Sequence, residues 1–328
     1  MKYFGRLKRF IGKDAERRSF LMKQLMLILL ALLCLGAAYA EETFTEGMFE
    51  YTLTEEGAVI TDFLCPEIAP AVVEVPAVIG GQPVVGLGYV FSGSWPGEIQ
   101  QVILQEGITT LGDAFVDCAD VAQIVLPASM ADIPEEAFTW GDAEIVLHPD
   151  NPYFINENGF LIDTRTNTLL YTAPSAADQP LPEVTRLGDH CLYNWHPGKH
   201  VVLPDTLISI GRGVCAEWMD TTRIDIPDSV TEIGAGAFNC AGLTSIDLPD
   251  GLTSIPDLML SCTEIQEIVI PESVTSIGGW AFYLCPLTRV EIPASCTFVA
   301  WDAFDPEVEL VCLGENTHIE TWEEAGIE

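Results

Sequence analysis

The stretch that decides the fold is TRIDIPDSVTEIGAGAFNC at residues 222–240, followed by TSIDLPDGLTSIPDLMLSC at 244–262 and QEIVIPESVTSIGGWAFYLC at 266–285. These are three copies of one unit. Prolines at 204, 227, 249, 271 and 293 set the register, spaced 23, 22, 22 and 22 residues apart. Upstream, Pro127 holds the same place, Gln105 fills it 22 residues earlier, and Pro76 precedes that. His148 and Pro182 continue the series across a longer insertion. A fixed period sustained over this length is the mark of a repeat architecture.

Each unit opens hydrophobic-x-hydrophobic-Pro. Ile224-Asp225-Ile226 alternates with period two and is rich in β-branched residues, so it predicts a short strand. The proline ends that strand because it cannot donate to a ladder. The following Val-x-x-Ile-Gly-x-x-Ala-Phe is too short for a helix, turns at its glycine and directs Val230, Ile233 and Phe238 inward. One unit cannot bury its apolar face alone, whereas stacked neighbours share a continuous core. Strands about 4.8 Å apart, over roughly ten turns, would build the stack. The expected fold is a mainly β repeat solenoid of 22-residue units, with short parallel strands on one face.

IPDSVTEIGAGAFNC and IPESVTSIGGWAFYLC resemble the BspA-like leucine-rich repeats of bacterial surface and secreted proteins, and the resemblance covers residues 45–328. The flanks resemble that family as well. FEYTLTEEGAVITDF (49–63) is similar to its N-terminal β-hairpin, turning at Glu56-Gly57, and VVEVPAVIGGQPVVGLGYVF (72–91) to its first, expanded repeat. NPYFINENGFLIDTRTNTLLY (151–171) resembles a hairpin inserted in many members, with Asn158-Gly159 as the tight turn. VELVCLGENTHIETWEEAGIE (308–328) is similar to the usual C-terminal cap. Cys191-Leu192, Val214-Cys215 and Met259-Leu260 depart from Ala-Phe, and Ala300 stands where the turn glycine is expected. The expected organisation is a leader at 1–40, a hairpin cap at 41–72, a solenoid at 73–306 with its insertion at 149–181, and a cap at 307–328.

Composition narrows the function classes. Among 328 residues, 48% hydrophobic and 19% charged exclude a disordered tail. The balance of 14 Lys+Arg against 49 Asp+Glu gives a net charge of -35 and excludes nucleic acid, because phosphate backbones need clustered cations. The charge is uneven. Residues 1–40 hold eight of the basic residues and only Asp14 and Glu16 as acids, leaving the body near −41. A basic stretch, an apolar run from Leu25 to Leu35 and Ala38-Tyr39-Ala40 are the three parts of a secretory signal peptide. The run falls short of the about 20 residues a span requires. A retained signal anchor is the alternative. Met22-Lys23 would itself make a compact start, and the bulky Leu33 argues against Cys34 as a lipoprotein cysteine.

Chemical motifs are scarce. Nine cysteines follow Cys34. Cys118, Cys240, Cys262 and Cys285 lie two or three residues after the aromatic position, a column shared with Trp140, Trp195 and Trp218. The column reads as buried core, with inter-repeat disulfides as the alternative. Cys65, Cys296 and Cys312 stay unplaced. His190, Cys191, His196 and His200 cluster in sequence, but the repeat register scatters them over different faces, so no metal site is expected. No cofactor motif, hydrolase elbow or Asn-x-Ser/Thr sequon is present.

The informative feature is the outward side chain in the middle of each strand. Down the array these are Glu74, Ile103, Val125, Val146, Val202, Asp225, Asp247, Val269 and Glu291. Beside them run Gln101, Gln123, Glu144, His200, Arg223, Ser245, Glu267 and Arg289. An apolar stripe in the N-terminal half and an acidic one with two arginines in the C-terminal half suit an extended binding face. Strand propensity alone would also favour β-branched residues there. Trp280 and Trp301 stand beside the Ala-Phe pair, either as exposed anchors or packed between turns. The expectation is a non-enzymatic, monomeric, secreted or cell-surface protein that binds a protein or cell-surface macromolecule. What the family resemblance implies is adhesion to host proteins or other cells. The alternatives are a secreted hydrolase using surface carboxylates and a passive envelope component.

Overall fold

The computed structural model describes residues 42–91, 99–195 and 198–321. The leader with Met22 and Cys34, His196, and the last seven residues of the expected cap lie outside the described residues. The chain divides into Met1–Phe44 and a second compact unit, Thr45–Glu328.

The second unit begins with an antiparallel hairpin, Phe49–Leu53 against Ala58–Phe63. Thr54 Oγ1 accepts the amides of Glu56 and Gly57 at 3.3 and 3.2 Å and so holds the turn. Ala58–Phe63 then pairs in parallel with Gln82–Leu87, and about 12 stacked turns follow.

Two parallel ladders run along the stack. The first is the one the strand pattern predicts. It joins Val72–Val75, Gln101–Leu104, Gln123–Leu126 and Glu144–Leu147. It resumes with His200–Val202, Arg223–Asp225 and Ser245–Ile246, and ends with Arg289–Ile292 on Glu309–Cys312. A second ladder uses two-residue strands, such as Arg186–Leu187, Ser209–Ile210 and Glu232–Ile233. It returns with Ser254–Ile255, Ser276–Ile277, Phe298–Val299 and His318–Ile319. Sequence reading treats these pairs as plain turn, because two residues carry no alternation to detect.

Immediately after this second strand comes the repeat glycine, whose amide donates to the turn before. Gly112, Gly211, Gly234 and Gly278 bond the carbonyls of Leu87, Leu187, Ile210 and Ile255 at 2.8 Å, and Gly188 bonds Leu169 at 2.9 Å. None of the five has positive φ. Glycine is needed here for proximity, not for conformation. A methyl on Gly234 would meet the Arg212 nitrogen and the Gly211 carbonyl carbon at 2.5 Å. Pro134 and Pro256 occupy the equivalent place and have no N–H to give. The second ladder fails at both. Only an isolated bridge joins Thr110 to Asp132, and Glu232–Ile233 and Ser254–Ile255 fall into different sheets.

The core is a column of rings. Phe49, Phe63, Phe91, Phe115, Phe138 and Tyr171 follow one another at centroid distances of 5.7, 5.4, 5.1, 6.0 and 5.1 Å. Leu192, Cys215, Phe238, Leu260 and Phe282 continue it, all buried, and Phe282 stacks on Phe304 at 4.8 Å. Two columns of left-handed residues frame it. His190, Gly213, Gly236, Leu258 and Trp280 precede the Ala-Phe pair, while Asp117, Trp140, Glu217, Cys240, Cys262 and Leu284 lie two residues after the aromatic.

That second column corrects the expectation of one buried Cys/Trp position. Residues three after the aromatic, Cys118, Trp195, Trp218 and Cys285, are buried. Those two after it turn outward: Trp140 and Cys262 are exposed and Cys240 is half-buried. The left-handed φ points them away from the core. Cys296 takes the valine place three residues after Pro293 and is fully buried.

Gly234→Ala is expected to lower unfolding stability by about 1–3 kcal/mol, the usual cost of forcing a methyl into a filled space. Urea titration checks this, and an unchanged midpoint would show that the glycine rung has slack.

Candidate functional site

The outward columns of the first ladder form the candidate binding face, and the structure divides that face into three segments. In the first, Glu74, Ile103, Val125 and Val146 are successive cross-strand partners. Ile103 and Val125 are half-buried and Val146 is exposed. Beside them Gln101 Nε2 donates to Gln123 Oε1 at 2.6 Å.

The inserted hairpin, Phe154–Glu157 with Phe160–Asp163, closes the far edge of this segment. Asn156 Nδ2 donates to the Ile145 carbonyl at 2.6 Å, and Ser175 gives its amide and hydroxyl to the two Glu144 carboxylate oxygens at 2.8 and 2.7 Å. Tyr171 OH donates within reach of the Gly141 and Ala143 carbonyls at 3.0 and 2.9 Å. Arg165 fastens the hairpin from the other side. Its Nε and Nη2 bond Asp163 at 3.0 and 2.7 Å, and Nη1 donates to the Ala131 carbonyl at 2.9 Å.

Because the insertion intervenes, Val202 belongs to a different sheet from Val146. The apolar stripe read from sequence is therefore interrupted. Val202 instead opens a second segment with Arg223, Asp225 and Asp247. There His200 Nε2 lies 2.8 Å from Asp225 Oδ2, Arg223 Nε donates to Asp225 Oδ1 at 2.7 Å, and Arg223 Nη2 is 4.0 Å from Asp247. The hydrogen bond from Arg223, then that from His200, holds the Asp225 carboxyl below its usual range.

The third segment is Arg289 with Glu291 at 3.0 Å and Glu309 at 4.0 Å. Between the second and third, Gln266–Ile270 was expected to be a strand and forms none. Val269, 84% exposed, stands alone there. A cleft of about 1060 Å³ occupies the gap, lined among others by Asp247, Glu267, Glu272, Arg289, Glu291 and Leu313. Like charges across neighbouring strands oppose pairing, and this cleft gathers several. Nothing in the sequence marks it, since the consensus runs through residues 266–274 unbroken.

Trp280 and Trp301 belong to the turns and not to this face. Trp280 is exposed at a left-handed position, and Trp301 is half-buried with its amide 3.5 Å from Glu320 Oε2. His190 packs 5.8 Å from the Trp140 ring, where burial lowers its pKa, whereas His200 sits on the strand face. Among the described residues, no group of three or more His, Cys, Asp or Glu could hold a metal ion, and no helix is long and apolar enough to cross a membrane.

The BspA type leucine rich repeat region matches in six copies over residues 88–166 and 185–310. No curated protein matches the chain. Among solved structures, a leucine-rich repeat protein from Eubacterium ventriosum is similar at 15% identity, covering 86% of this chain and 96% of its own, with a TM-score of 0.51. A leucine rich cell surface protein from Faecalibacterium prausnitzii is 17% identical over 85% of this chain and 96% of its own, at a TM-score of 0.38. The pneumococcal vaccine antigen PcpA is 12% identical over 83% and 98%, at 0.40.

The Asp163–Arg165 pair generates a pH dependence. Burial raises the Asp163 carboxyl, and the Arg165 hydrogen bonds outweigh it, so its pKa ends below the ordinary value. A depressed carboxylate contributes stability that is full above the unfolded pKa and is lost as pH falls through the folded one. The contribution of this pair to the Tm should therefore be lost on acidification. Asp163→Asn should lower the Tm at neutral pH and flatten the slope between about pH 5 and pH 1. A variant that keeps the full wild-type slope would show that the pair contributes nothing.

Proposed function

Since the chain belongs to the BspA-type leucine-rich repeat family, we propose that it is a non-enzymatic interaction protein, secreted or displayed at the cell surface, whose segmented strand face binds another protein. The observation that carries this reading is the exposed face itself. Ile103, Val125 and Val146 present adjoining apolar side chains on one four-stranded sheet, with Glu74 at the end of their column and Gln101 and Gln123 beside it. An apolar patch rimmed by polar groups is the usual form of a recognition surface. The acidic groups of the second and third segments, Asp225, Asp247 and Glu291, set the sign of the partner. It would be basic or neutral where it meets them. Adhesion to host proteins or to other cells is the finer form of this proposal, with the apolar patch buried and the flanking charges choosing the partner. Trp280 and Trp301 would add contacts only for a partner large enough to reach the turns.

Capture from host and bacterial surface-protein fractions by residues 41–328 tests this. Val125→Lys/Val146→Lys should weaken retention of the captured protein by about tenfold or more, the scale of a lost central contact, with an unchanged circular dichroism spectrum. Equal retention would overturn the strand-face assignment. Turnover of a glycan or peptide panel, abolished by one Asp or Glu substitution, would overturn the non-enzymatic reading.

A further inference from the structure

One turn of the stack lacks one of its two ladders on each side. Pro256 removes the rung that would join it to the turn of Glu232–Ile233, and its own strand, Ser245–Ile246, is the last of its sheet. Beyond the bond from the Glu264 amide to the Leu243 carbonyl, at 2.9 Å, the unpaired segment Gln266–Ile270 begins. The residues that bracket this turn are Cys240 and Cys262.

The two cysteines occupy the same place in consecutive units, two residues after Phe238 and Leu260. Both are left-handed, with φ of 56° and 60°, and that conformation turns both side chains out of the core in the same direction. The Cys240 amide bonds the Ser261 carbonyl at 2.8 Å, and the Cys262 amide bonds Tyr283 at 2.7 Å, so the backbones are in register. Burial, and then the neighbouring Cys262 thiol, raise the Cys240 pKa. Stacked backbones about 4.8 Å apart fall inside the Cα separations of about 4.4–6.8 Å that a disulfide spans. Cys262 is exposed and Cys240 half-buried, so an oxidant reaches the first and the second can follow.

The other thiols are differently placed. Cys285 is buried, donating to the Leu260 carbonyl at 3.1 Å, and burial raises it. Cys191 and Cys215 are enclosed in the core. Cys65 and Cys312 are accessible but lie in the N-terminal region and the last long strand, without a neighbour at the matching place one turn away.

We propose that Cys240 and Cys262 are a disulfide pair, a redox staple that closes the turn containing Pro256 onto its neighbour where the second ladder fails. The oxidant is a small-molecule or protein disulfide. The Cys262 thiolate attacks one sulfur of that disulfide and expels a thiolate, which takes up a proton. The Cys240 thiolate then attacks the Cys262 sulfur of the mixed disulfide and expels the second thiolate, which is likewise protonated. Two protein thiols become one disulfide while one external disulfide becomes two thiols, so electrons and protons balance. This route is the ordinary one for thiol–disulfide exchange.

The test treats the folded full chain with oxidised glutathione, blocks remaining thiols with iodoacetamide, and maps the digest by mass spectrometry. The expected result is one cross-linked peptide pair, Cys240 with Cys262, with Cys65 and Cys312 blocked or carrying glutathione. Cys240→Ser should leave a lasting glutathione adduct on Cys262. Glutathione adducts persisting on both cysteines of the unmodified sequence, or cross-links to other cysteines in comparable yield, would overturn the pairing. Exchange of the Gly236, Phe238 and Thr244 amides, which bond between the two stapled turns, should slow about tenfold on oxidation, as expected for closing a local opening. Unchanged exchange in a chain shown to be cross-linked would overturn the role as a staple.

Discussion

The spacing of the stack rests on one short contact, the amide of a turn glycine on a carbonyl one turn earlier. A backbone comes that close most readily where no Cβ intervenes, and Gly112, Gly188, Gly211, Gly234 and Gly278 recur at this point. Their φ values are ordinary, so the requirement is steric and comes from the neighbouring turn. Once that distance is set, the rings from Phe49 to Tyr171 reach ring-to-ring contact and the two ladders can form. Ala300 shows the limit of the constraint, since its amide still bonds Ile277 at 2.9 Å. Proline is different in kind. It removes the donor itself, and the ladder opens at Pro134 and Pro256.

Places where pairing stops organise the surface. Next to Pro134 the chain spends its insertion on a hairpin that pairs with nothing on the far side of the first sheet, but covers its edge through Asn156 and Ser175. An exposed strand edge is a template for unwanted pairing, and the insertion removes that hazard for Glu144–Leu147. The cost is continuity, because the face on which Val146 lies stops there. No insertion follows Pro256, and the acidic cleft lies on the other ladder, where Gln266–Ile270 leaves a strand unpaired. A partner using this protein therefore meets discrete patches of different chemistry, apolar first and charged afterwards, and not a uniform stripe.

The period, the first ladder and the inward residues were legible in the sequence, since proline spacing and alternation report them directly. Val230, Ile233 and Phe238 are buried as their pattern requires. The second ladder was not legible, because Ser-Ile pairs are shorter than any detectable period. The Cys/Trp column failed for a related reason. Positions two and three after the aromatic look interchangeable in an alignment of units, but a left-handed residue separates them in space, sending Cys262 outward and Cys285 inward. Of the candidate face, the outward column itself could be named residue by residue. Its division could not, since Val202 and Val269 match the consensus as well as Val125 does and differ only in what their neighbours pair with.

Charge gives the face a direction. Each of the five arginines of the acidic body lies beside a carboxylate: Arg165 on Asp163, Arg186 on Glu135, Arg212 on Glu136, Arg223 on Asp225 and Arg289 on Glu291. Such exposed pairs hold little stability on their own. They nevertheless use up the arginines locally, leaving a body near −41 with Lys199 as its single lysine. The uncompensated field is carboxylate, and self-repulsion of that kind opposes compaction. The enclosed ring column bears this strain where both ladders are intact. Around residues 244–270, repulsion among Asp247, Glu267, Glu272 and Glu291 acts on a turn that lacks one ladder on each side. A basic surface entering the cleft would relieve the repulsion as it forms contacts, whereas an acidic one would add to it. Salt would weaken that preference, because screening at about 0.1 M reaches only about 10 Å. The same feature that makes the turn weak thus makes it selective.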